Sequence, residues 1–374
     1  MKDPRIQKFA RVLVNNSMKV KPGDKVLIEF YDVPIELPLV VVEEVFAAGG
    51  IPLLEMKDMK IQRKLYLQGP EEFFKLAGEF ELYRMKQMDC YAGLRGCGND
   101  NELADVPGSQ MGLMEKHWWK PVHLEERCSN TRWVVCRFPS PAYAQKAGMS
   151  QEAFEDFFFN ACNEVDYGRL SEAMQPLEDL MNRTDKVRIV SPGTDLTFSI
   201  KGIPAQKCDG KSNIPDGEVY TAPVIDSANG TISYNAPSTY RGFTFTDIKL
   251  IQNDGVIIEA SANDTERLND ILDSDEGARR IGEFALGVNP MINRPMDDIL
   301  FDEKIAGSIH FTPGDIVEEL GGNGNHSGIH WDIVLIQTPE YGGGEIYFDD
   351  VLIRKDGKFV LYELLVLNPD RLLI

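Results

Sequence analysis

The first part of the chain, up to about residue 140, alternates short apolar runs with helical patterns, and this alternation restricts the fold more than any other feature. Residues 25–30 (KVLIEF) and 51–56 (IPLLEM) predict strands, and residues 37–48 between them predict a helix that ends at two glycines. Two strands joined by a helix through short loops pair in parallel, with a right-handed crossover. Further strands are predicted at residues 90–94 and 133–136. The N-terminal part is therefore expected to form an open parallel α/β layer.

A different pattern begins near Lys186. Short runs rich in β-branched and aromatic residues are separated by Gly and Pro, and they lie at residues 187–190, 196–200, 230–234 and 256–260. Helices at residues 265–274 and around residues 279–284 are predicted to interrupt these strands, and Asp356-Gly357 predicts a hairpin turn. We therefore predict an α/β protein of two domains: an N-terminal parallel α/β domain over residues 1–185 and a β-rich α+β domain over residues 186–374.

The charge of the chain argues against several classes of partner. With 59 acidic and 39 basic residues, the formal net charge is −20. A surface this negative repels phosphate backbones and anionic lipids, so neither nucleic acid nor a membrane is an expected partner. No stretch approaches the ~18 apolar residues of a membrane span, no secretory leader is recognisable, and the 6 cysteines form no CxxC pair. We expect a cytoplasmic protein with free thiols, and the absence of a glycine-rich phosphate loop predicts no nucleotide.

Two of the 5 histidines lie close together in the segment NHSGIHWD, at residues 325–332. If His330 and Asp332 lie in a strand, their side chains point to the same face, because positions two apart share a face. An imidazole and a carboxylate on one face can form half of a metal site. The same pair also fits an ordinary histidine at the end of a strand, hydrogen-bonded to a carboxylate.

Three further stretches each set ionisable side chains among glycines or apolar residues. PDGEVYTAP contains Glu218, RIGEFALG contains Glu283, and DEKIAGSIH contains Glu303 and His310. Each has an ordinary alternative, because Glu218 also suits a turn, Glu283 a helix cap or the surface, and His310 the core. The recurrence of this pattern in the C-terminal half suggests a metal centre, but composition does not determine its geometry.

The segments PDGEVYTAP, GEFALGVNP, DEKIAGSIHFTPG and NHSGIHWDIV occur in an order and at separations that resemble the motif series of the thermophilic aminopeptidase family. TRW at residues 131–133, followed by PSPAYAQ at residues 139–145, also resembles that family. This is the aminopeptidase T and aminopeptidase S group of dinuclear metallo-aminopeptidases. The likeness covers nearly the whole chain and is strongest between residues 185 and 340.

The resemblance implies a hydrolase that removes N-terminal residues from peptides with two divalent ions. Mixed oxygen and nitrogen ligands suit Zn, Co or Mn. The metal ligands that it implies are Glu218, Glu283, Glu303, His310, His330 and Asp332. It also implies that Glu283 is shared by both ions and that a homodimer encloses the active sites. Among the carboxylates, we expect Glu218 to be the catalytic proton shuttle as well as a ligand.

One position departs from the family pattern. The family carries a tyrosine seven residues after the histidine of the third motif, where this chain has Val317, and Pro313 changes the intervening loop. The tyrosine would assist the reaction, and loss of such a donor costs on the order of 10²–10³ in turnover. The alternatives are therefore another metal-dependent hydrolase on the same scaffold, a catalytically weak homologue, or a non-enzymatic binding protein. The intact set of metal ligands argues against the last.

Overall fold

The computed structural model describes residues 3–316 and 322–373, and the chain divides into two compact units. Unit 1 comprises Met1–Glu164 and Gly210–Pro215, and unit 2 comprises Val165–Asp209 and Asp216–Ile374. All six predicted ligand residues belong to unit 2. The domain division after residue 185 stays a prediction.

Unit 1 is built on a parallel sheet of 5 strands in the order β2-β1-β3-β4-β8. The strands are β1 (Lys25–Tyr31), β2 (Ile51–Lys57), β3 (Cys90–Arg95), β4 (Arg132–Arg137) and β8 (Asn213–Ile214). The helices are α1 (Pro4–Arg11), α2 (Glu36–Ala47), α3 (Met59–Gln68), α4 (Glu71–Met85), α5 (Gly108–Met114), α6 (Pro141–Lys146) and α7 (Gln151–Asn163), with π-helical turns at Val12–Ser17 and Glu115–Cys128. The interior of β1 is buried throughout, as in a parallel strand covered on both faces. The predicted parallel α/β layer is confirmed.

Unit 2 contains antiparallel sheets of 8, 5 and 2 strands. The larger sheet has the order β14-β13-β10-β6-β5-β18-β19-β20, the 5-stranded sheet β17-β16-β15-β9-β7, and the smallest β11-β12. Its strands are β5 (Lys186–Ser191), β6 (Thr194–Ser199), β7 (Gln206–Cys208), β9 (Glu218–Thr221), β10 (Asn229–Ser233), β11 (Ser238–Tyr240), β12 (Phe243–Phe245), β13 (Lys249–Asn253), β14 (Val256–Ser261), β15 (Ile281–Gly287), β16 (Ser308–Pro313), β17 (Val334–Ile336), β18 (Glu345–Phe348), β19 (Val351–Lys355) and β20 (Lys358–Phe359). Its helices are α8 (Tyr167–Arg183), α9 (Thr265–Leu272), α10 (Ile299–Asp302) and α11 (Pro369–Leu372), with 3₁₀ turns at Pro339–Tyr341 and Tyr362–Leu367.

Aromatic side chains pack between the two larger sheets of unit 2. Phe198 of β6 lies 4.9 Å, between ring centroids, from Phe284 of β15 and 4.9 Å from Phe311 of β16. All three side chains are buried. Because neighbouring residues of a strand point to opposite faces, the residues beside Phe284 and Phe311 face away from this core.

The structure corrects one predicted element and shortens another. The helix predicted around residues 279–284 is wrong, because Ile281–Gly287 forms β15, a strand that is buried at every position. An apolar run of this length fits a buried strand as well as a helix, and pairing on both sides selects the strand. The strand expected to carry His330 and Asp332 begins only at Val334, although His330 forms an isolated bridge with Gly314. The predicted C-terminal hairpin is confirmed, with Asp356-Gly357 between β19 and β20.

Neither a disulfide bond nor a membrane-spanning helix is found among the described residues. None of the 6 cysteines forms a disulfide bond. Burial raises the pKa of the Cys136 thiol to about 12, so this thiol is unreactive near neutral pH. Among the described residues, no helix is both long and apolar enough to cross a bilayer.

Candidate metal centre

The five-stranded sheet of unit 2 brings ligand-type side chains together on one face. Glu283 in β15 and His310 in β16 lie on neighbouring antiparallel strands, with Ala285 opposite His310. Glu218 begins β9 on the other side of β15. Since Phe284 and Phe311 point into the core between the sheets, Glu283 and His310 project from the opposite face.

A β-bulge helps to place Glu283. The register of β15 against β16 shifts between Ile281 and Glu283, which leaves Gly282 as the extra residue. A Cβ atom at Gly282 would lie 2.0 Å from the carbonyl oxygen of Asp315, so only glycine fits this approach. The loop after β16 therefore crosses close to the base of Glu283.

Glu218, Glu283 and His310 form the first cluster, in which one ligand atom from each residue lies within 4.8 Å of the others. His310 Nε2 is 2.8 Å from Glu283 Oε1, and His310 Nδ1 is 3.7 Å from Glu218 Oε2. All three residues are buried. We call this cluster the inner position.

Glu283, His330 and Asp332 form the second cluster, and their ligand atoms also lie within 4.8 Å of one another. His330 Nε2 is 3.2 Å from Asp332 Oδ1 and 3.8 Å from Glu283 Oε2. The His330 side chain is 34% exposed, against 1% for His310, so this cluster is the one open to solvent. We call it the outer position, and Glu283 belongs to both.

Neighbouring groups orient the ligands of the outer position. The backbone carbonyl of Asp315 lies 2.9 Å from His330 Nδ1, and a hydrogen bond donated by this nitrogen leaves Nε2 free to bind a metal. The Thr312 hydroxyl donates to Asp332 Oδ1 at 2.6 Å. Trp331 points away, donates its indole N–H to Ser238 and is buried. The expected arrangement, with His330 and Asp332 together and Trp331 opposite, is observed even though the segment is not a regular strand.

Glu303 lies beside the inner position but belongs to neither cluster. Its Oε1 is 2.6 Å from Nζ of Lys304, and the same ammonium group lies 2.5 Å from Glu218 Oε1. Asp302, its neighbour in the sequence, turns elsewhere and accepts a hydrogen bond from the Met296 backbone at 2.6 Å. The ammonium group of Lys304 therefore joins Glu303 to Glu218.

The carboxylates strongly perturb the protonation of both imidazoles. Burial disfavours the charged form of His310, but the negative charge of Glu218 and the hydrogen bond to Glu283 raise its pKa to about 9. Burial also lowers the pKa of His330, but the negative charge of Asp332 opposes this effect, and the pKa is raised well above its usual value. Burial raises the pKa of Glu303 to about 8 against the effect of Lys304. Without a metal, protons on the imidazoles therefore balance part of the negative charge at neutral pH.

The residues present fit a divalent cation. Glu218 Oε2 and His310 Nδ1 are buried and have no hydrogen-bond partner among the described residues. Unsatisfied buried polar atoms are costly and call for an explanation, and a bound ion is one that suits this carboxylate and imidazole set. The donor chemistry and the unsatisfied atoms thus agree.

Comparison with known proteins places this geometry in a family. The sequence pattern of the thermophilic metalloproteases (M29) matches residues 2–359. The chain belongs to the M29 family. Aminopeptidase PepS of Streptococcus thermophilus is 26% identical to it over 379 residues, covering 88% of this chain and 91% of the relative. Aminopeptidase T of Thermus aquaticus is 32% identical over 305 residues, covering 70% and 72%.

A solved structure has the same fold. The wild-type AmpT structure from Thermus thermophilus superimposes with a TM-score of 0.80 at 21% identity, covering 96% of this chain and 99% of that chain. The resemblance identified from the four motifs is therefore confirmed, as is the α/β fold class. As an M29 metalloprotease, the chain is a peptide-bond hydrolase that requires divalent metal.

Several residues around the candidate metal centre could not be found from the sequence. Lys304, Thr312 and Asp315 touch the ligand residues without belonging to the ligand set. A lysine next to a glutamate normally indicates an exposed surface, so the sequence around Lys304 does not predict that its side chain is buried. Val317, which replaces the family tyrosine, lies outside the described residues.

Proposed function

We propose that the chain is an aminopeptidase that uses two divalent ions, Zn, Co or Mn, one at the inner and one at the outer position. The observation that carries the proposal is that two ligand clusters share Glu283. A carboxylate has two oxygens, and those of Glu283 face different imidazoles: Oε1 faces His310 and Oε2 faces His330. Two-metal hydrolases hold both ions with shared ligands of this kind.

Each side chain of the centre has a separate proposed role in peptide hydrolysis. When bound, the two ions supply a nucleophile from water at neutral pH and polarise the first peptide carbonyl. Glu218 presents Oε2 to the inner position and Oε1 to Lys304, and its proposed role of carrying a proton to the leaving amine falls to Oε1. His330, the most exposed ligand, marks the side from which a peptide approaches. Glu303 is proposed as a further ligand through its oxygen that does not contact Lys304.

An assay with aminoacyl p-nitroanilides tests this function. Protein stripped by a chelator and reloaded with Zn, Co or Mn should release p-nitroaniline, and the same substrates carrying an N-acetyl group should remain intact because a free amine is required. Replacing Glu283 with glutamine should lower turnover at least ~100-fold, because the loss of a ligand costs more than the loss of its supporting hydrogen bond. Glu259→Gln, at an exposed carboxylate of β14, is the matched control.

The results also decide between the alternatives. Metal uptake without hydrolysis of any aminoacyl substrate favours a different metal-dependent hydrolase or a catalytically weak homologue, the reading that Val317 motivates. Hydrolysis of the acetylated and free substrates at equal rates likewise excludes an exopeptidase.

We further propose a homodimer assembled through unit 1, located in the cytoplasm. Edge strand β2 and the neighbouring helices α2 and α4 expose many large apolar side chains. These are Leu39, Phe46, Ile51, Leu53, Leu54, Met56, Leu76, Phe80 and Tyr83. An exposed apolar edge strand invites pairing, and a second copy related by a two-fold axis would cover it. The 6 cysteines, none of which forms a disulfide bond, suit a reducing compartment.

A further inference from the structure

Lys304 is a buried positive charge inside the proposed metal centre. Its side chain is 1% exposed, and Nζ lies 2.5 Å from Glu218 Oε1, 2.6 Å from Glu303 Oε1 and 3.5 Å from Asp216 Oδ1. An ammonium group with three carboxylates around it is compensated, which explains how a lysine can be buried here.

Backbone hydrogen bonds hold Lys304 in place at both its N–H and its carbonyl group. The Lys304 N–H donates to the carbonyl of Phe301 at 3.1 Å, and its carbonyl accepts from the Asn289 N–H at 3.0 Å. Lys304 directly follows Glu303 at the end of α10, so both side chains enter the centre from one turn. The position from which the Lys304 side chain enters the centre is therefore fixed beside that of Glu303.

The contacts of Lys304 lie on the side of the inner position. Glu218, a member of the inner cluster, gives one oxygen to Lys304. Asp216 and Glu218 also form a third cluster with Cys208, and Lys304 contacts both of these carboxylates. The carboxylate that belongs to the outer position alone, Asp332, is instead contacted by Thr312 and His330.

We propose that Lys304 acts as a resident cation that makes the two metal positions unequal, so that the outer position fills first and the inner position fills weakly. An ion at the inner position must share Glu218 with an ammonium group that repels it, whereas an ion at the outer position shares no carboxylate with Lys304. The inference rests on the two-ion centre proposed above. Peptide hydrolysis then follows the second binding step and depends on the free metal concentration.

Calorimetric titration of the chelator-stripped full-length protein with Zn²⁺, repeated with Co²⁺, tests this inequality. We expect two steps with dissociation constants at least ~100-fold apart. Lys304→Met keeps the length of the side chain without its charge and should tighten the weak step at least ~10-fold, leaving the tight step within about threefold, because only the inner position loses a repelling charge. Glu218→Gln should remove the weak step, and Asp332→Asn the tight step.

Controls separate charge from folding. Lys57→Met in unit 1 removes another lysine that is paired with a carboxylate, with a side chain 9% exposed and 2.6 Å from Glu29, and should leave both steps unchanged. If Lys304→Met fails to fold, the double variant Lys304→Met/Asp216→Asn removes the ammonium group together with a carboxylate that belongs to neither metal position, and so retains the local charge balance. It should show the same tightened weak step.

The proposal is overturned if the wild-type protein binds two ions with equal affinity. It is equally overturned if removing the Lys304 charge leaves the weak step as it was. The separate assay of aminoacyl p-nitroanilides distinguishes the two proposals. If the two binding steps are unequal and change in Lys304→Met, but no p-nitroaniline is released, only the aminopeptidase function is refuted. If p-nitroaniline is released but the two binding steps are equal, only the role of Lys304 is refuted.

Discussion

At the scale of single residues, His310 and His330 connect the electrostatics of unit 2 to its chemistry. Both imidazoles lie among carboxylates that favour their protonated forms. A metal ligand must be a neutral imidazole, so ion binding and protonation compete for the same nitrogen atoms. The carboxylates that attract a cation thus also retain the protons that oppose it.

The apparent affinity for metal should therefore rise with pH. The folded pKa of His310, about 9, exceeds the usual value of ~6.5, so each unit of pH below about 9 should weaken binding up to ~10-fold for each proton displaced. Because folding raises the pKa of His310, its protonated form stabilises the metal-free fold at pH values below ~6.5, and this stabilisation is lost as the pH rises through about 9. Titration with Zn²⁺ between pH 6 and 9, in buffers of different ionisation enthalpy, measures the affinity and counts the protons. Affinity that stays constant from pH 6 to 8 would refute the competition.

At the scale of elements, β15 organises the site. It pairs with β9 on one side and β16 on the other, and it carries Glu283 next to the bulge at Gly282. The loop that follows β16 passes over this bulge and supplies the carbonyl that orients His330. One glycine thus couples the packing of a strand to the placement of both metal positions.

Gly282→Ala should destabilise unit 2 by about 1–3 kcal/mol, the usual cost of forcing atoms into a packed core, because the new methyl group would lie 2.0 Å from the Asp315 carbonyl oxygen. It should also weaken metal binding by displacing that carbonyl from His330. Urea denaturation followed by far-UV circular dichroism, together with the Zn²⁺ titration, measures both effects. Gly112→Ala is the matched control, since it lies in helix α5 with open space around it. Gly112→Ala should raise the free energy of unfolding by up to ~1 kcal/mol. If both variants changed stability and metal affinity equally, the role of the bulge would be contradicted.

At the scale of the whole molecule, exposed apolar side chains concentrate in unit 1, around β2. Met56 is 75% exposed and Ile51 51% exposed on a strand that has only one partner in the sheet. Isolated exposed residues such as Ile258 in unit 2 need no partner, but a contiguous edge does. The two-fold assembly proposed above would remove this edge from water.

Met56→Lys should shift the protein from a dimer to a single chain of 42.0 kDa, because a lysine on the edge strand would have to be desolvated to pair. Light scattering coupled to size-exclusion chromatography measures the mass. Ile258→Lys, at a residue that is 62% exposed in unit 2, should leave the mass unchanged. A wild-type protein that is monomeric at micromolar concentration would exclude the assembly.

The sequence by itself determined the parallel layer of unit 1, the C-terminal hairpin and the membership of the family. These features rest on local signals: the spacing of apolar residues along β1 and α2, the turn chemistry of Asp356-Gly357, and four short motifs in order. Local signals can be interpreted without knowledge of the fold, because they follow from backbone preferences and from residues close together in the chain.

Only the tertiary structure decided that residues 281–287 form a strand, that Glu218 meets His310, and that Lys304 lies among the carboxylates. Pairing of β15 on both sides outweighed a pattern that also suited a helix. The burial of Lys304 depends on carboxylates contributed by β9 and by the turn before it, both distant in the sequence. The burial of a charged residue that is stabilised by long-range contacts cannot be predicted from sequence periodicity, because its partners are brought together only by the fold.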